Sequence, residues 1–391
     1  MKIVRYALLA AVSVVSLIAG APAAAQDTVK IGLILPLTGP FASTGRQIET
    51  AVKLYMQQKG TTVAGKRIEL IVKDDGGVAD TTRRMAQELV LNDKVAFLAG
   101  FGLTPLALAT APIATQAKVP MVVMAAATSA ITEQSPFVTR TGFTLPQVTQ
   151  PMAEWAGKNG IKKVVTLVTD YGPGIDAETT FKKVFTASGG EVLESLRVPL
   201  RNPDFAPFLQ KVHDLAPNAV FVFVPSGVGA IFMKQFSERG LDKSGIRLIG
   251  TGDVTDDDIL NDMGDVALGV VTTFHYSAAH PSAANKAYVE AFGKASNGMR
   301  PNFHSLGGYD GMALIYHAIE ETKGSTDGEA LMNAMKGYTW ESPRGPISID
   351  PQTREIVQNV YVRKVERTGG QLYNVEFQTI PAVKDPGKTA K

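Results

Sequence analysis

Two threonine hydroxyls stand in the sequence at points where a carboxylate ligand could be bound. Thr104 precedes Pro105 after a strand-like segment that ends near Gly100, and Thr128 follows the next such segment. A hydroxyl beside the free backbone N–H groups of a helix's first turn favours an anion, because the helix dipole is positive there. Threonine also caps helices without any ligand, and capping is the stronger interpretation for either residue alone. Their repetition after successive strands favours carboxylate binding.

Tyr171 and Asp253 are candidates for the opposite side of such a ligand. Tyr171 precedes Gly172-Pro173-Gly174, where its ring could close over a bound molecule as a wall with a polar tip. A surface tyrosine in a turn explains the same pattern equally well. Asp253 follows the Gly250-Thr251-Gly252 turn, where its carboxylate could pair with a ligand ammonium group. Capping of a following helix is an equally good interpretation of Asp253.

Metal and catalytic motifs are weak in this sequence. The three aspartates at 256–258 lack the alternating oxygens and central glycine of a calcium loop, so we expect a solvated helical turn. The five histidines lack HExxH spacing. We expect His275, at a crossover between domains, to line the ligand cleft, and His280 and His304 to lie at the surface. Without a nucleophile at recognisable spacing from a base, we predict a binding protein that needs no cofactor, not an enzyme.

These candidate residues follow strand-like segments in a repeated order of strand, polar turn and helix. Apolar runs such as 29–35, 119–124 and 163–168 alternate with helical patterns such as 283–295 and 306–320. Continuous apolar strands alternating with helices indicate parallel sheets covered on both faces, so the predicted fold class is α/β. Ligands bind beyond the carboxyl ends of such strands. Two facing lobes would aim the polar turns into one cleft, and the chain is long enough for two domains.

The first 25 residues resemble a cleaved signal peptide. Lys2 and Arg5 precede an apolar run at 6–20, and Ala23-Ala24-Ala25 follows. We therefore expect export to the periplasm, and we expect no later segment to span a membrane. The chain has no cysteine, which excludes lipid attachment through that residue, so we predict no stable membrane anchor. The balance of 39 basic and 37 acidic residues argues against a nucleic-acid partner.

In this combined pattern the chain resembles the leucine/isoleucine/valine-binding family of type I periplasmic solute-binding proteins. The segments that carry the resemblance occur in family order through nearly all of the chain after residue 25. They are Ile31-Gly32, Pro36-Leu37-Thr38-Gly39-Pro40, Asp74-Asp75, Val119-Pro120, Ala127-Thr128, Asp170-Tyr171-Gly172, Gly250-Thr251-Gly252-Asp253 and Ser342-Pro343-Arg344-Gly345-Pro346.

The resemblance implies two Rossmann-like lobes, joined by three crossovers, that close on a ligand by hinge motion. The N-terminal lobe would comprise 26–143 and 277–342, and the C-terminal lobe 144–276 and 343–391. The function implied is that of the periplasmic component of an ABC importer for branched-chain amino acids or related small carboxylates. Its partners would be the small carboxylate-bearing solute and inner-membrane permease and ATPase subunits, and the protein itself would be a monomer.

The resemblance also implies roles for particular residues. The family's carboxylate-binding positions fall on Thr104, Ala126 and Thr128, and Leu103 is a candidate in the same turn as Thr104. The cleft tyrosine of the family falls on Tyr171, and its acidic ammonium partner falls on Asp253. Two positions where some members carry aromatic side chains fall on Thr44 and Ser226 here. Their loss would make room for a ring, so aromatic carboxylates of benzoate or phenylpropanoid type are the alternative ligands. A periplasmic enzyme and a sensor subunit are more remote alternatives.

Overall fold

The computed structural model describes residues 27–388, and its first sheet is built from the early part of the chain. The six strands lie in the order β2-β3-β1-β4-β5-β6. They are β1 (Thr28–Leu35), β2 (Thr62–Val63), β3 (Lys66–Asp74), β4 (Phe97–Gly100), β5 (Met121–Val123) and β6 (Val138–Arg140). The pairings of β1, β3, β4, β5 and β6 are parallel, and β2 adds an antiparallel edge.

The second sheet has nine strands. Eight of them lie in the order β12-β13-β14-β11-β10-β9-β7-β8, and β15 pairs with β14. They are β7 (Lys163–Thr169), β8 (Glu191–Val198), β9 (Ala219–Phe223), β10 (Arg247–Thr251), β11 (Val271–Phe274), β12 (Thr339–Ser342), β13 (Gly345–Ile349), β14 (Ile356–Thr368) and β15 (Gln371–Val383). Strands β7 to β11 form a parallel set, and β14 joins β11 antiparallel.

The helices other than α9 (Ala283–Ala295) divide between the two sheets. The helices are α1 (Ala42–Lys59), α2 (Ala79–Leu91), α3 (Thr104–Ala117), α4 (Leu145–Lys158), α5 (Gly172–Ala187), α6 (Ala206–Leu215), α7 (Gly229–Glu238), α8 (Leu260–Met263), α9, α10 (Phe303–Glu321) and α11 (Gly328–Met335). We call the first sheet with α1 to α3, α10 and α11 the first lobe, because these helices share its apolar core. The second sheet with α4 to α8 is the second lobe.

The central strands are buried along most of their length. In β1 the segment 31–35 is buried at every position, and in β7 the same holds for 164–169. Such strands need apolar or satisfied side chains on both faces, which is why their sequences show no alternation of polar and apolar residues. Burial on both faces leaves the strand ends as the places where polar side chains can gather.

Two buried arginines form ion pairs and hydrogen bonds between distant segments of the chain, close to the crossovers between the lobes. Arg140, at the end of β6, lies 2.9 Å from the carboxylate of Glu355 in the second lobe. Arg344, between β12 and β13, lies 2.8 Å from Asp310 in α10 and donates to the carbonyl of Gly142. Buried ion pairs are costly to desolvate unless further hydrogen bonds satisfy them. Here such bonds are present, so the crossover region is held by a connected polar network.

The predicted α/β fold with two lobes of largely parallel sheet is confirmed. The predicted strand 163–168 corresponds to β7 and helix Ala283–Ala295 has the predicted limits, whereas the long antiparallel strands β14 and β15 had not been predicted. The exact division between the lobes stays a prediction, and β12 pairs in the second sheet although it precedes the predicted boundary at 342. The signal peptide falls outside the described residues. Within 27–388 no helix combines the length and apolarity needed to cross a membrane.

Candidate ligand-binding site

A cavity lies between the two lobes, beyond the ends of the parallel strands. The first lobe contributes turns that follow β1, β4 and β5, and the second lobe contributes turns that follow β7, β9 and β10. The strand ends therefore meet across one cleft.

The hydroxyls of Thr104 and Thr128 form a pair at the first-lobe side of the cleft. Their oxygens lie 2.8 Å apart. Helix α3 begins at Thr104 with extended Leu103 as its N-cap residue, so the expectation that Thr104 is the N-cap was wrong. Thr128 occupies the N-cap position of a short 3-10 helix, Ser129–Gln134. Among the described residues neither threonine caps its helix through the side chain, so both hydroxyls are available at the cleft.

Arg140 supports the turn that carries Thr128. Its guanidinium donates to the carbonyl of Ala126 at 2.9 Å and to the carbonyl of Thr128 at 2.7 Å. It also donates to the carbonyl of Phe143 at 3.0 Å, in the crossover to the second lobe. A fully buried guanidinium thus holds the backbone of the candidate carboxylate site and the start of the crossover in one arrangement.

Helix α5 of the second lobe begins against the threonine pair. A Cβ atom on Gly172 would lie 2.5 Å from Thr128 Oγ1 and 3.4 Å from Thr104 Cγ2. The first of these distances is shorter than any normal contact. Only glycine therefore lets the two lobes approach this closely at the point where the hydroxyls lie.

Aromatic side chains from both lobes form the walls of the cavity. Tyr171 stacks on Phe223 with ring centroids 6.0 Å apart and planes inclined at 22°. Phe41 and Phe143 also line the cavity. Burial raises the pKa of Tyr171, and the nearby charge of Asp253 adds to this, so the phenol stays protonated. The walls are flat and apolar, which suits a planar ring.

Asp253 is a buried carboxyl group at the second-lobe side of the cavity. Its side chain accepts a hydrogen bond from the Thr251 hydroxyl at 2.9 Å, and the residue is 3% exposed. Asp253 lies inside the short 3-10 helix Gly252–Thr255, of which Thr251 is the N-cap residue, so it does not occupy the capping position. Burial raises its pKa to about 7, because the desolvation of the charged form outweighs the bond from Thr251.

The aspartates at 256–258 are not the solvated helical turn that we expected. Asp256 accepts hydrogen bonds from the Ser226 hydroxyl and from the side-chain amide of Asn302. Asp257 is buried near Arg363. Partners from distant segments satisfy these carboxylates, which is why they can lie inside the protein. Within residues 27–388 no group of three acidic or histidine side chains could hold a metal ion.

The positions of the two histidines of this region are the reverse of those that we expected. His275 is not among the residues that line the cavity; it is fully buried and stacks on Phe143 with centroids 4.9 Å apart. His304 lines the cavity and is 7% exposed, so its expected place at the surface was wrong. Asn302 caps α10 by accepting from the backbone N–H of His304, which places this side chain at the junction of the lobes.

Most of the candidate residues come together in one place. The lining includes Thr44, Leu103, Thr104, Ala126, Tyr171, Ser226 and Asp253. Thr128 adjoins them through Thr104, and their roles in binding stay predictions. Sequence reasoning missed Phe41, Phe143, Phe223 and His304. Phe223 is the last residue of β9, so the rule that ligands bind at strand ends could have identified it.

Known proteins resemble this chain over nearly its whole length. The family model for "Periplasmic binding protein" matches residues 28–371. The Leu/Ile/Val-binding protein homolog 6 of Brucella melitensis is 45% identical over 387 residues, covering 98% of this chain and 99% of its own. A solute-binding protein of an ABC transporter from Rhodopseudomonas palustris BisB5, solved in complex with 3,4-dihydroxybenzoic acid, is 62% identical with a TM-score of 0.91, covering 93% and 99% of the two chains.

A second solved structure is similar in the same way. It is a solute-binding protein of an ABC transporter from Rhodopseudomonas palustris HaA2, in complex with p-hydroxybenzoic acid. It is 42% identical with a TM-score of 0.90 and covers 93% of this chain and all of its own. Two α/β lobes with one cleft at their strand ends define a type I periplasmic binding protein. The chain belongs to the leucine/isoleucine/valine-binding family of periplasmic binding proteins.

Proposed function

We propose that this protein is the solute-binding component of an ABC importer and that its ligands are hydroxylated benzoates. The observation that carries the proposal is the combination of a hydroxyl pair with flat aromatic walls in one cavity. A benzoate has a carboxylate at one end of a planar ring. The hydroxyl pair complements the carboxylate, and the aromatic walls complement the ring. The similar proteins solved with dihydroxybenzoic and hydroxybenzoic acids support the same ligand class.

In this proposal the ligand carboxylate accepts a hydrogen bond from the hydroxyl pair of Thr104 and Thr128 at the first lobe. Helix α3 begins at Thr104, and its first-turn N–H groups and dipole favour the negative charge. The ring lies between the aromatic walls, with Tyr171 and Phe223 on the second lobe. Asp253 is at the second-lobe side, where its carboxyl group can hydrogen-bond a polar substituent.

Binding and closure are coupled in this mechanism. The cavity is lined from both lobes, so a ligand makes all of its contacts only when the lobes are together, and it thereby favours the closed state. We propose that the lobes comprise 26–143 with 277–342 and 144–276 with 343–391. The closed protein, a monomer exported to the periplasm without a membrane anchor, then docks on a permease with its ATPases. The protein performs no catalysis and returns its ligand unchanged.

Branched-chain amino acids are the second candidate ligands. Asp253 favours them, since an ionised carboxylate could pair with the ligand ammonium group, and relatives carry the name Leu/Ile/Val-binding protein. An aliphatic side chain could also occupy the apolar part of the cavity. The amino acid would leave flat aromatic walls without a planar partner, which is why we place this ligand class second.

Thermal-shift and calorimetric titrations of the mature protein test the proposal. The panel is benzoate, 4-hydroxybenzoate, 3,4-dihydroxybenzoate, leucine, isoleucine and valine. We expect the hydroxybenzoates to stabilise the protein by about 2.7 kcal/mol at one hundred times Kd, and the amino acids to do so only at much higher concentration. Stabilisation by leucine alone would select the second candidate. Chromatography of the released ligand checks the absence of catalysis, because turnover would yield a product.

A further inference from the structure

His304 is a polar side chain of the cavity wall whose role is not explained by the carboxylate site. It lies in the first turn of α10, where the side chain of Asn302 accepts from its backbone N–H at 3.0 Å. The residue is 7% exposed and lines the cavity together with the aromatic walls. Its place is therefore set by the helix cap and is not that of a mobile surface group.

The imidazole of His304 has an unused hydrogen-bonding atom. Nδ1 is buried and has no hydrogen-bond partner within the part of the chain that the structure describes. Buried polar atoms are satisfied in the great majority of cases, and an exception needs an explanation. Burial also lowers the pKa of His304 to about 3, so the ring is neutral near pH 7 and has one donor and one acceptor nitrogen.

Three of the other polar side chains of the lining have protein partners. Thr104 is bonded to Thr128, Ser226 to Asp256, and Asp253 to Thr251. A neutral imidazole at an apolar cavity wall therefore suits a neutral hydroxyl group of the ligand better than a carboxylate. A hydroxyl can donate to one nitrogen or accept from the other.

We propose that His304 forms a hydrogen bond with a ring hydroxyl of the ligand and thereby selects hydroxylated over unsubstituted benzoates. The inference rests on the proposed function, because it needs an aromatic acid in the cavity. A site built to bond a hydroxyl rejects the analogue without it, since the polar group of the site is then left unpaired. His304 is thus a specificity-determining residue, and carboxylate binding does not depend on it.

The test compares affinities of wild type and His304→Leu for benzoate, 3-hydroxybenzoate and 4-hydroxybenzoate by calorimetry at pH 7. We expect His304→Leu to weaken the binding of at least one hydroxybenzoate by about tenfold, the effect of one lost hydrogen bond to a buried group. Benzoate should bind the variant within about twofold of wild type, because it offers no hydroxyl. His304→Asn keeps a hydrogen-bonding amide and should retain part of the preference.

His275→Leu is a matched control. It removes a second buried histidine from the same aromatic cluster, but His275 is not part of the cavity lining. We expect the ratio of the hydroxybenzoate and benzoate affinities to stay at its wild-type value in this variant. A change in this ratio as large as that of His304→Leu would overturn the assignment, because the effect would then come from the cluster and not from the cavity.

The outcomes separate this inference from the proposed function. If His304→Leu binds benzoate normally and both hydroxybenzoate affinities are unchanged, the inference is wrong and the proposed function remains. If wild type binds neither benzoate nor either hydroxybenzoate, both are wrong. Should the variants fail to fold, ¹⁵N chemical shifts of the His304 imidazole in wild type decide the matter. They should change more with a hydroxybenzoate than with benzoate, and equal shifts would overturn the inference.

Discussion

The hydroxyl oxygens of Thr104 and Thr128 lie 2.8 Å apart, although these residues follow two different strands of the first sheet. Each hydroxyl has one hydrogen, so a pair that shares one hydrogen bond keeps a second hydrogen for an outside acceptor. Gly172 of the second lobe lies against the same pair. The proposed carboxylate site is therefore also a point at which the closed lobes meet, and binding and closure can be tested there together.

Replacing the first of these hydroxyls should weaken ligand binding without unfolding the protein. We expect Thr104→Val to raise Kd for 4-hydroxybenzoate by about tenfold, since a hydrogen bond to a charged group contributes about 1.5 kcal/mol or more. Calorimetry measures this change. Thr110→Val is the matched control, because that hydroxyl bonds the Leu106 carbonyl within α3. An unchanged Kd for Thr104→Val would remove this residue from the site.

Adding one methyl group at the lobe interface should prevent full closure. In Gly172→Ala the new Cβ atom would overlap Thr128 Oγ1, so the lobes must stay further apart and Kd should rise by about tenfold or more, in line with the 1–3 kcal/mol of overpacking. Small-angle scattering with saturating ligand should show the more open form. Gly293→Ala in α9 is the control, because its Cβ would meet nothing within 4 Å. Ligand-bound Gly172→Ala with wild-type dimensions would contradict the prediction.

The pH dependence of binding should distinguish the two ligand classes through Asp253. In the closed state burial raises its pKa to about 7, whereas an exposed carboxyl has a pKa near 3.8. Closure therefore takes up a proton between these values, and its contribution to binding is lost as the pH rises through about 7. The affinity for benzoate should fall by up to tenfold per pH unit as the pH rises towards about 7, and it should level off above that value, where the carboxyl group is ionised in both states.

Calorimetry from about pH 5 to 9 checks this, with Asp253→Asn as the control that should remove the dependence. A ligand with an ammonium group behaves differently, because it needs the ionised carboxylate and its affinity would not fall. A benzoate affinity that is constant over this range in wild type would show that Asp253 does not change its protonation on closure.

A hydrogen bond across the cleft should favour the closed state. The Ser43 hydroxyl, near the start of α1, donates to the Asp258 carboxylate of the second lobe at 2.5 Å. We expect Ser43→Ala to raise Kd about fivefold, the effect of about 1 kcal/mol, while the melting temperature without ligand stays the same. Asp258→Asn and the double variant complete a mutant cycle. Strictly additive effects on Kd would mean that the two side chains do not interact in the bound protein.

The buried ion pair at the crossover should matter for stability. We expect Glu355→Gln to lower the free energy of unfolding by about 3–5 kcal/mol, because it leaves the guanidinium of Arg140 buried without its counter-charge. Urea denaturation measures this loss. Glu329→Gln breaks the exposed pair with Lys118 and should change stability by less than about 1 kcal/mol. Similar losses in both variants would contradict the role of burial.

The sequence by itself determined the order of the parallel strands and of the helices between them, and the position of the strand ends. The apolar runs that predict strands such as Lys163–Thr169 depend on near neighbours in the chain, and so does the break of each run at a polar turn. Ligand residues of a parallel α/β fold lie at those turns. Thr104, Tyr171 and Asp253 could therefore be identified as candidates before the structure was known.

Only the tertiary structure decided which polar side chains are buried and which of them reach the cavity. The sequence predicted a solvated Asp257. In the structure Arg363 and Asn374, more than a hundred positions later in the chain, lie beside it. His275 and His304 likewise have similar local sequences but different surroundings, because α10 returns to the first sheet and brings only His304 to the cavity. Burial depends on segments that are distant in the chain, and periodicity in a short window carries no information about them.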